Sequence, residues 1–268
     1  MSVKLIASDL DATFLKSDKT FNEPLFQQVL DQLHAQGGQF IVATGNHVQK
    51  VHDYFKNFKG QYQLIANNGA EVILDGELKH VWSVPNEALA VIDNLADKFT
   101  ESLQLGVSFV AARRAYMIVK QPNDEYLSWA HTYFENLTII ESVDEITEPI
   151  LKISLVLPQL EYEFMREAKA VLGNKVHVTT SGYGAIDIVN PDVNKANALS
   201  YIAETLEIAP EEIMAFGDGL NDLEMLEYVG QPVAMTNADE ELFKHDFAIS
   251  VALSLIHISE PTRHAQIS

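Results

Sequence analysis

Apolar runs at residues 3–8, 40–44 and 64–66 are separated by segments with helical periodicity, and that alternation rules out most fold classes. Continuous apolar strands joined by helices belong to a parallel sheet covered on both faces. In the first intervening segment, "NEPLFQQVLDQLHAQGG", Pro24 lies near the first turn. Leu25, Phe26, Val29, Leu30 and Leu33 form one apolar face, and Gly37–Gly38 supply a stop. The second, "VQKVHDYF", also reads as helical.

The pattern then changes. Residues 86–103 read as a helix, followed by two strand-like runs around Arg113–Arg114, a helix over 124–135, a strand over 151–157 and a helix over 161–172. Two further strands flank "SGYG". This mixture predicts an α+β domain with an antiparallel sheet. From Asn194 the first style returns: a helix capped by Asn194, a strand over 213–216, a helix over 221–229 and a strand over 232–235. The expectation is an α/β fold: a Rossmann-like parallel-sheet core in two pieces, 1–83 and 186–268, with an α+β domain inserted at 84–185.

Composition narrows the partners. Eighteen basic against 38 acidic residues leave a formal charge of −20, which argues against a nucleic-acid groove or an anionic membrane surface, since both require a positive field. Without cysteine there is neither a disulfide framework nor a thiolate zinc site. The start "MSVKLIASD" holds no apolar stretch of signal-peptide length, so the expected compartment is the cytoplasm.

Candidate chemistry gathers at strand ends. Asp9 and Asp11 follow the first strand two residues apart, which puts both side chains on one face. Such closely spaced like charges are costly unless something binds between them, and an all-oxygen site suits Mg²⁺; one of the two alone would be explained by a turn closing the strand. Thr44–Gly45 ends the second strand with a hydroxyl and an approachable backbone. "IMAFGDGLND" passes from strand to helix through Asp218, Asn221 and Asp222. Lys195 opens the helix after the chain returns, where a lysine is ordinarily solvated and slightly disfavoured by the helix dipole. Acids for a metal, Thr and Lys for an anion and a strand-end carboxylate able to attack together describe phosphoryl transfer through an aspartyl-phosphate.

"DLDATFL", "ATGN", "NKANAL" and "GDGLNDLEML" resemble, in order, the four motifs of the haloacid dehalogenase-like phosphatases. The large insertion is similar to the cap domain of their Cof-type branch, and "ANNGAEV" and "TSGYGAIDIV" resemble its sugar-phosphatase members. The resemblance implies Asp9 as nucleophile and Asp11 as general acid, kept protonated, and then base. It implies Mg²⁺ held by Asp9, the Asp11 carbonyl and Asp218, with Asp222 as a direct or indirect partner. It implies phosphoryl oxygens held by Thr44, Gly45 and Lys195, joined by Asn221, and a cap acting as a lid. Asn46 stands where many members carry arginine and is assigned to substrate. Ala12 occupies a usual glycine position, and is strained if that residue needs positive φ. The expected partner is a small phosphorylated metabolite. Alternatives are a phosphomutase of the same fold, a non-enzymatic phospho-acceptor, and a binding protein that has lost catalysis.

His47 and His52 are five apart, which does not align them as metal ligands. Arg113 and Arg114 read as a solvated hairpin turn. "SGYG" reads equally as a substrate-contacting loop or an ordinary turn. Residues 253–268 lack the period and caps of a final helix and read as a translated cloning remnant.

Overall fold

The computed structural model describes residues 3–134, 136–182 and 184–250. The tail at 253–268 and Tyr183 of the SGYG turn therefore lie outside the described residues. The chain divides into two units, one formed by 3–80 with 194–250 and the other by 81–193.

The first unit begins with β1 (Leu5–Ser8), α1 (Glu23–Ala35), β2 (Gln39–Ala43), α2 (Val48–Tyr54), β3 (Gln63–Ala66), β4 (Glu71–Leu74) and β5 (Glu77–Val81). The second holds α3 (Asn86–Asp97), β6 (Gln104–Ala111), β7 (Ala115–Val119), α4 (Asp124–Tyr133), β8 (Leu137–Ile139), β9 (Ile150–Val156), α5 (Glu161–Leu172), β10 (His177–Gly182) and β11 (Ala185–Val189). The chain then completes the first unit with α6 (Lys195–Thr205), β12 (Ile213–Gly217), α7 (Leu223–Tyr228), β13 (Gln231–Ala234) and β14 (Ala248–Ile249).

The first sheet runs β14-β13-β12-β1-β2-β3-β4-β5. It is parallel from β14 through β3, and β4 returns antiparallel. Strand order reverses at β1, which pairs with β2 on one side and β12 on the other. In open parallel sheets such a switch point leaves a crevice at the carboxyl ends of the strands. The segment leaving β1 is anchored by Leu10, Phe14 and Leu15, all buried. Phe14 packs edge-on to Phe26 of α1 at 4.9 Å and lies 5.4 Å from Phe55. These aromatic contacts fix the loop that carries Asp9 and Asp11.

The second sheet runs β10-β11-β9-β6-β7-β8. Helices α3 and α5 bury one of its faces through Leu89, Ile92 and Phe164 against Phe109, Ile153 and Ile186. The expectation of an antiparallel sheet needs one correction, because β8 runs parallel to β7.

Two further expectations are revised, and one element is new. The inserted unit extends through Val193, and the boundary placed at 186 falls inside β11, whose ladder joins it to β9 and β10. The helix read over 86–103 stops at Asp97, where the Thr100 hydroxyl donates to the Asp97 carbonyl and a short 3-10 turn follows. The β4–β5 hairpin was not read from the sequence. Its turn is Asp75–Gly76, with φ of 53° and 77°, the Asp-Gly signature of a tight hairpin.

Candidate active site

Asp9 leaves β1 with its N–H still donating to the Phe216 carbonyl of β12, at 2.9 Å. The ladder therefore holds the ends of β1 and β12 side by side, and Asp218 follows β12 just as Asp9 follows β1. Carboxylate oxygens of Asp9, Asp218 and Asp222 lie within 4.8 Å of one another. Lys195, on the first turn of α6, reaches into this group. Its Nζ donates to Asp9 Oδ1 and Asp222 Oδ1, each at 2.6 Å, with its side chain 0% exposed. The usual behaviour of a helix-start lysine is thus overridden by tertiary contact.

The electrostatics are unbalanced. Burial pushes the Asp9 carboxyl up to about 7; Lys195 pulls against this, while Asp222 and Asp218 add to it. Asp218 is also raised, chiefly by burial. Lys195 sits above the usual lysine value because Asp9 and Asp222 outweigh its own burial. Three carboxylates against one ammonium leave excess negative charge, and the donor set is all oxygen. These residues fit a hard divalent cation.

The acids are not equivalent. Asp222 Oδ2 accepts from the backbone N–H groups of Asp218 and Gly219, at 3.0 Å each, while Oδ1 accepts from Lys195. Both oxygens are engaged, so Asp222 positions the loop and the lysine, whereas Asp9 and Asp218 are better placed to ligate. Asp218 Oδ1 accepts from the Thr13 hydroxyl at 2.6 Å.

The Asp11 side chain lies apart from the three-acid group. It accepts from Lys19 Nζ at 2.5 Å and Asn46 Nδ2 at 2.6 Å. Partial burial works upward on its pKa, but the hydrogen bonds from Lys19 and Asn46 prevail and hold it below the usual carboxylate value. These contacts work against the expectation of an Asp11 kept protonated, since both Lys19 and Asn46 favour its ionised form.

Thr44 is buried and its hydroxyl accepts from the Asn46 backbone N–H and side-chain amide, at 3.1 and 3.0 Å. Gly45 is exposed beside it. A Cβ on Gly45 would meet Asn68 Oδ1 at 3.0 Å, and that same oxygen accepts from Asn221 Nδ2 at 3.0 Å. Asn68 was missed as a site residue. Its signal was the pair Asn67–Asn68 before Gly69, residue types suited to the positive φ all three adopt. Lys19 was also missed and has no local sequence signal, whereas Thr13 stands within "DLDATFL" but was given no role of its own.

Ala12 has φ of 62°, where glycine is preferred, and its carbonyl accepts from Asn237 Nδ2 at 3.0 Å. A left-handed alanine is strained by ~1–2 kcal/mol, partly offset by the greater entropy of an unfolded glycine. Ala12→Gly is therefore expected to stabilise the protein by about 1 kcal/mol in urea unfolding. An unchanged or lower midpoint would contradict the strain.

Other residues noted in the sequence make contacts of their own. His47 caps α2, its Nδ1 accepting from the Lys50 N–H at 3.3 Å. Arg113 and Arg114 are exposed, and Arg114 pairs with Glu148 at 2.8 Å. Gly184 of the SGYG turn has φ of 80° and packs against Pro158.

Residues 6–250 match the family profile described as haloacid dehalogenase-like hydrolase. The chain belongs to the haloacid dehalogenase-like hydrolases. It is 31% identical over 244 residues to 5-amino-6-(5-phospho-D-ribitylamino)uracil phosphatase YbjI of Escherichia coli (strain K12), covering 89% of this chain and 87% of that protein. It is 26% identical to pyridoxal phosphate phosphatase YbhA of the same organism, with 90% of each covered. Among solved structures, SMU.1108c from Streptococcus mutans UA159 superposes with a TM-score of 0.74 at 26% identity, over 92% of this chain and 93% of that one. As a haloacid dehalogenase-like hydrolase, the chain carries its acidic group at the switch point of the parallel sheet. Among the described residues, no helix is long and apolar enough to cross a membrane.

Proposed function

We propose that this hydrolase is a Mg²⁺-dependent phosphatase of small phosphorylated metabolites, sugar and sugar-alcohol phosphates foremost, acting in the cytoplasm. The observation that carries the proposal is the buried Lys195 spanning Asp9 and Asp222 beside Asp218 at the ends of β1 and β12. One cation and three acids at a crevice suit a phosphate dianion that arrives with a metal. The relative whose name places a phosphate on a ribityl chain supports the substrate class.

In this mechanism Asp9 and Asp218 hold the Mg²⁺, with the Asp11 carbonyl as a further donor and Asp222 behind them. The metal supplies charge neutralisation between carboxylates and the phosphate dianion. Lys195, Thr44, Asn46, Asn221 and the Gly45 backbone orient the phosphoryl group. An Asp9 carboxylate oxygen forms the new bond to phosphorus as the bond to the ester oxygen breaks. The leaving oxygen takes a proton from Asp11, which must first acquire one. Proximity of the substrate dianion favours this by raising its pKa against the pull of Lys19 and Asn46. Ionised Asp11 then accepts a proton from the water that cleaves the aspartyl-phosphate, releasing inorganic phosphate.

The test is phosphate release from a panel of sugar, sugar-alcohol and nucleotide monophosphates, with Mg²⁺ or EDTA. Metal-dependent release that ranks polyol esters first is expected. An isomeric phosphate ester as product would favour a mutase, and stable labelling of Asp9 without turnover would favour a phospho-acceptor.

Metal binding should be visible without substrate. Asp9 has a folded pKa of about 7 against 3.8 unfolded, so the metal-free native state holds a proton that must leave when the cation binds. Mg²⁺ should therefore raise the melting temperature at pH 8 and progressively less toward pH 5. A shift independent of pH, or no shift, would remove Asp9 from the metal site.

A further inference from the structure

Residues 67–69 form a left-handed turn between β3 and β4 that touches three segments of the candidate site. Asn67, Asn68 and Gly69 have φ of 50°, 57° and 105°, a region that asparagine and glycine adopt at least cost. The Asn67 N–H donates to the Asn46 carbonyl at 3.0 Å, and the Asn68 N–H to the Thr44 carbonyl at 2.9 Å. The Asn67 amide donates to Glu71, a carboxylate buried at the start of β4. Gly69 lies so close to Asn194, the cap of α6, that a Cβ would meet the Asn194 carbonyl oxygen at 2.2 Å. The turn is thereby fixed against the end of β2 and against the residue that precedes Lys195.

This fixed backbone presents the Asn68 side chain. Asn68 is exposed, as are Gly45 and Asn221, which it touches. Its Oδ1 accepts from Asn221 Nδ2 at 3.0 Å. A Cβ on Gly45 would meet that oxygen at 3.0 Å and Asn68 Nδ2 at 3.3 Å. With the oxygen taken by Asn221, the amide's orientation is set and its N–H donors are left over. Among the described residues they meet no acceptor.

We propose that Asn68 is a further substrate-binding residue, donating its amide N–H to a phosphoryl oxygen beside the Gly45 backbone. The inference rests on the phosphatase reading above. Charge balance favours such a donor. Lys195 is committed to Asp9 and Asp222, so a phosphate dianion entering beside three carboxylates has more oxygens than that one ammonium can serve. Turn geometry alone does not account for the side chain: glycine would serve the backbone equally and would leave Asn221 without its acceptor. Left-handed backbone held by contacts on several sides is also concentrated at ligand clamps.

The test uses two variants of the full chain. Asn68→Gly removes the amide and keeps the left-handed backbone. Asn68→Asp keeps an oxygen for Asn221 but replaces the N–H donors with a second anionic oxygen. Both residue types tolerate this conformation, and melting curves check that both variants fold. The probes are p-nitrophenyl phosphate and inorganic phosphate, with Mg²⁺ present. In Asn68→Gly, KM for the ester and the inhibition constant of phosphate should each rise about tenfold, the effect of one hydrogen bond to a charged group. The kcat should change by less than about threefold, because the contact is made before and during the reaction alike. In Asn68→Asp both constants should rise further, since like charges repel. Constants in Asn68→Asp equal to those of the unmodified chain would leave Asn68 only as an acceptor for Asn221 and overturn the inference. Unaltered constants in Asn68→Gly, or a fall in kcat alone, would do the same. Calorimetric titration of phosphate with Mg²⁺ repeats the comparison without turnover. An unmodified chain that binds phosphate about tenfold more tightly than Asn68→Gly, yet hydrolyses nothing, would support Asn68 and defeat the phosphatase reading. No phosphate binding by the unmodified chain would overturn the Asn68 assignment itself.

Discussion

Asp9→Asn is expected to lower kcat for phosphate release by about 10⁴-fold or more, the scale on which loss of a nucleophile acts. The amide fills the same volume but cannot form the phospho-aspartate. Its effect on folding should be opposite in character. In the metal-free protein the site disfavours ionised Asp9, pushing its pKa to about 7. A neutral isostere therefore relieves repulsion from Asp218 and Asp222 at pH 8, and its carbonyl oxygen still accepts from Lys195. The melting temperature without metal should be unchanged or higher, and the increase caused by Mg²⁺ should shrink. Retained turnover would remove Asp9 as nucleophile, and loss of turnover with loss of fold would leave the chemical assignment unsupported.

Lys195→Met should damage both folding and turnover. The lysine side chain is fully buried and supplies the cation to two buried carboxylates at 2.6 Å. Removing one partner of a buried ion pair leaves charge without compensation, at a cost of about 3–5 kcal/mol. The sign of the pH dependence follows from Asp9. Its folded pKa already exceeds the unfolded value of 3.8 and rises further without the ammonium. The native state then binds more protons than the unfolded state, and stability falls as pH rises through the interval between the two values. Urea unfolding should thus show a larger deficit at pH 8 than at pH 5. An equal deficit at both would mean that lost packing, not uncompensated charge, is responsible.

Much of the core was legible because its signals are local. Apolar runs marked β1, β2 and β3, and glycine and acidic residues at strand ends marked Asp9, Thr44–Gly45 and Asp218. The inserted unit was recognisable from its change of pattern, but its end was not. β11 is as apolar as a core strand, and only its ladder with β9 and β10 assigns it to the second sheet. Asn221 and Asp222 stand out in the sequence, and in the structure Asp222 holds the Asp218 and Gly219 N–H groups while Asn221 donates to Asn68; nothing local distinguishes a ligand from a carboxylate that holds backbone N–H groups.

The sequence by itself determined the parallel core, the existence of an insertion and the residue types at the strand ends. These depend on periodicity and spacing within one element. Tertiary structure alone decided that Lys195 is buried between Asp9 and Asp222, that Thr13 holds Asp218 and that Lys19 and Asn46 claim the Asp11 carboxylate. Lys195 and Asp9 are separated by 186 residues, and Thr13 and Asp218 by 205. The protonation of the site follows from burial and from charges brought together across those separations, which arise only once β1 and β12 lie side by side.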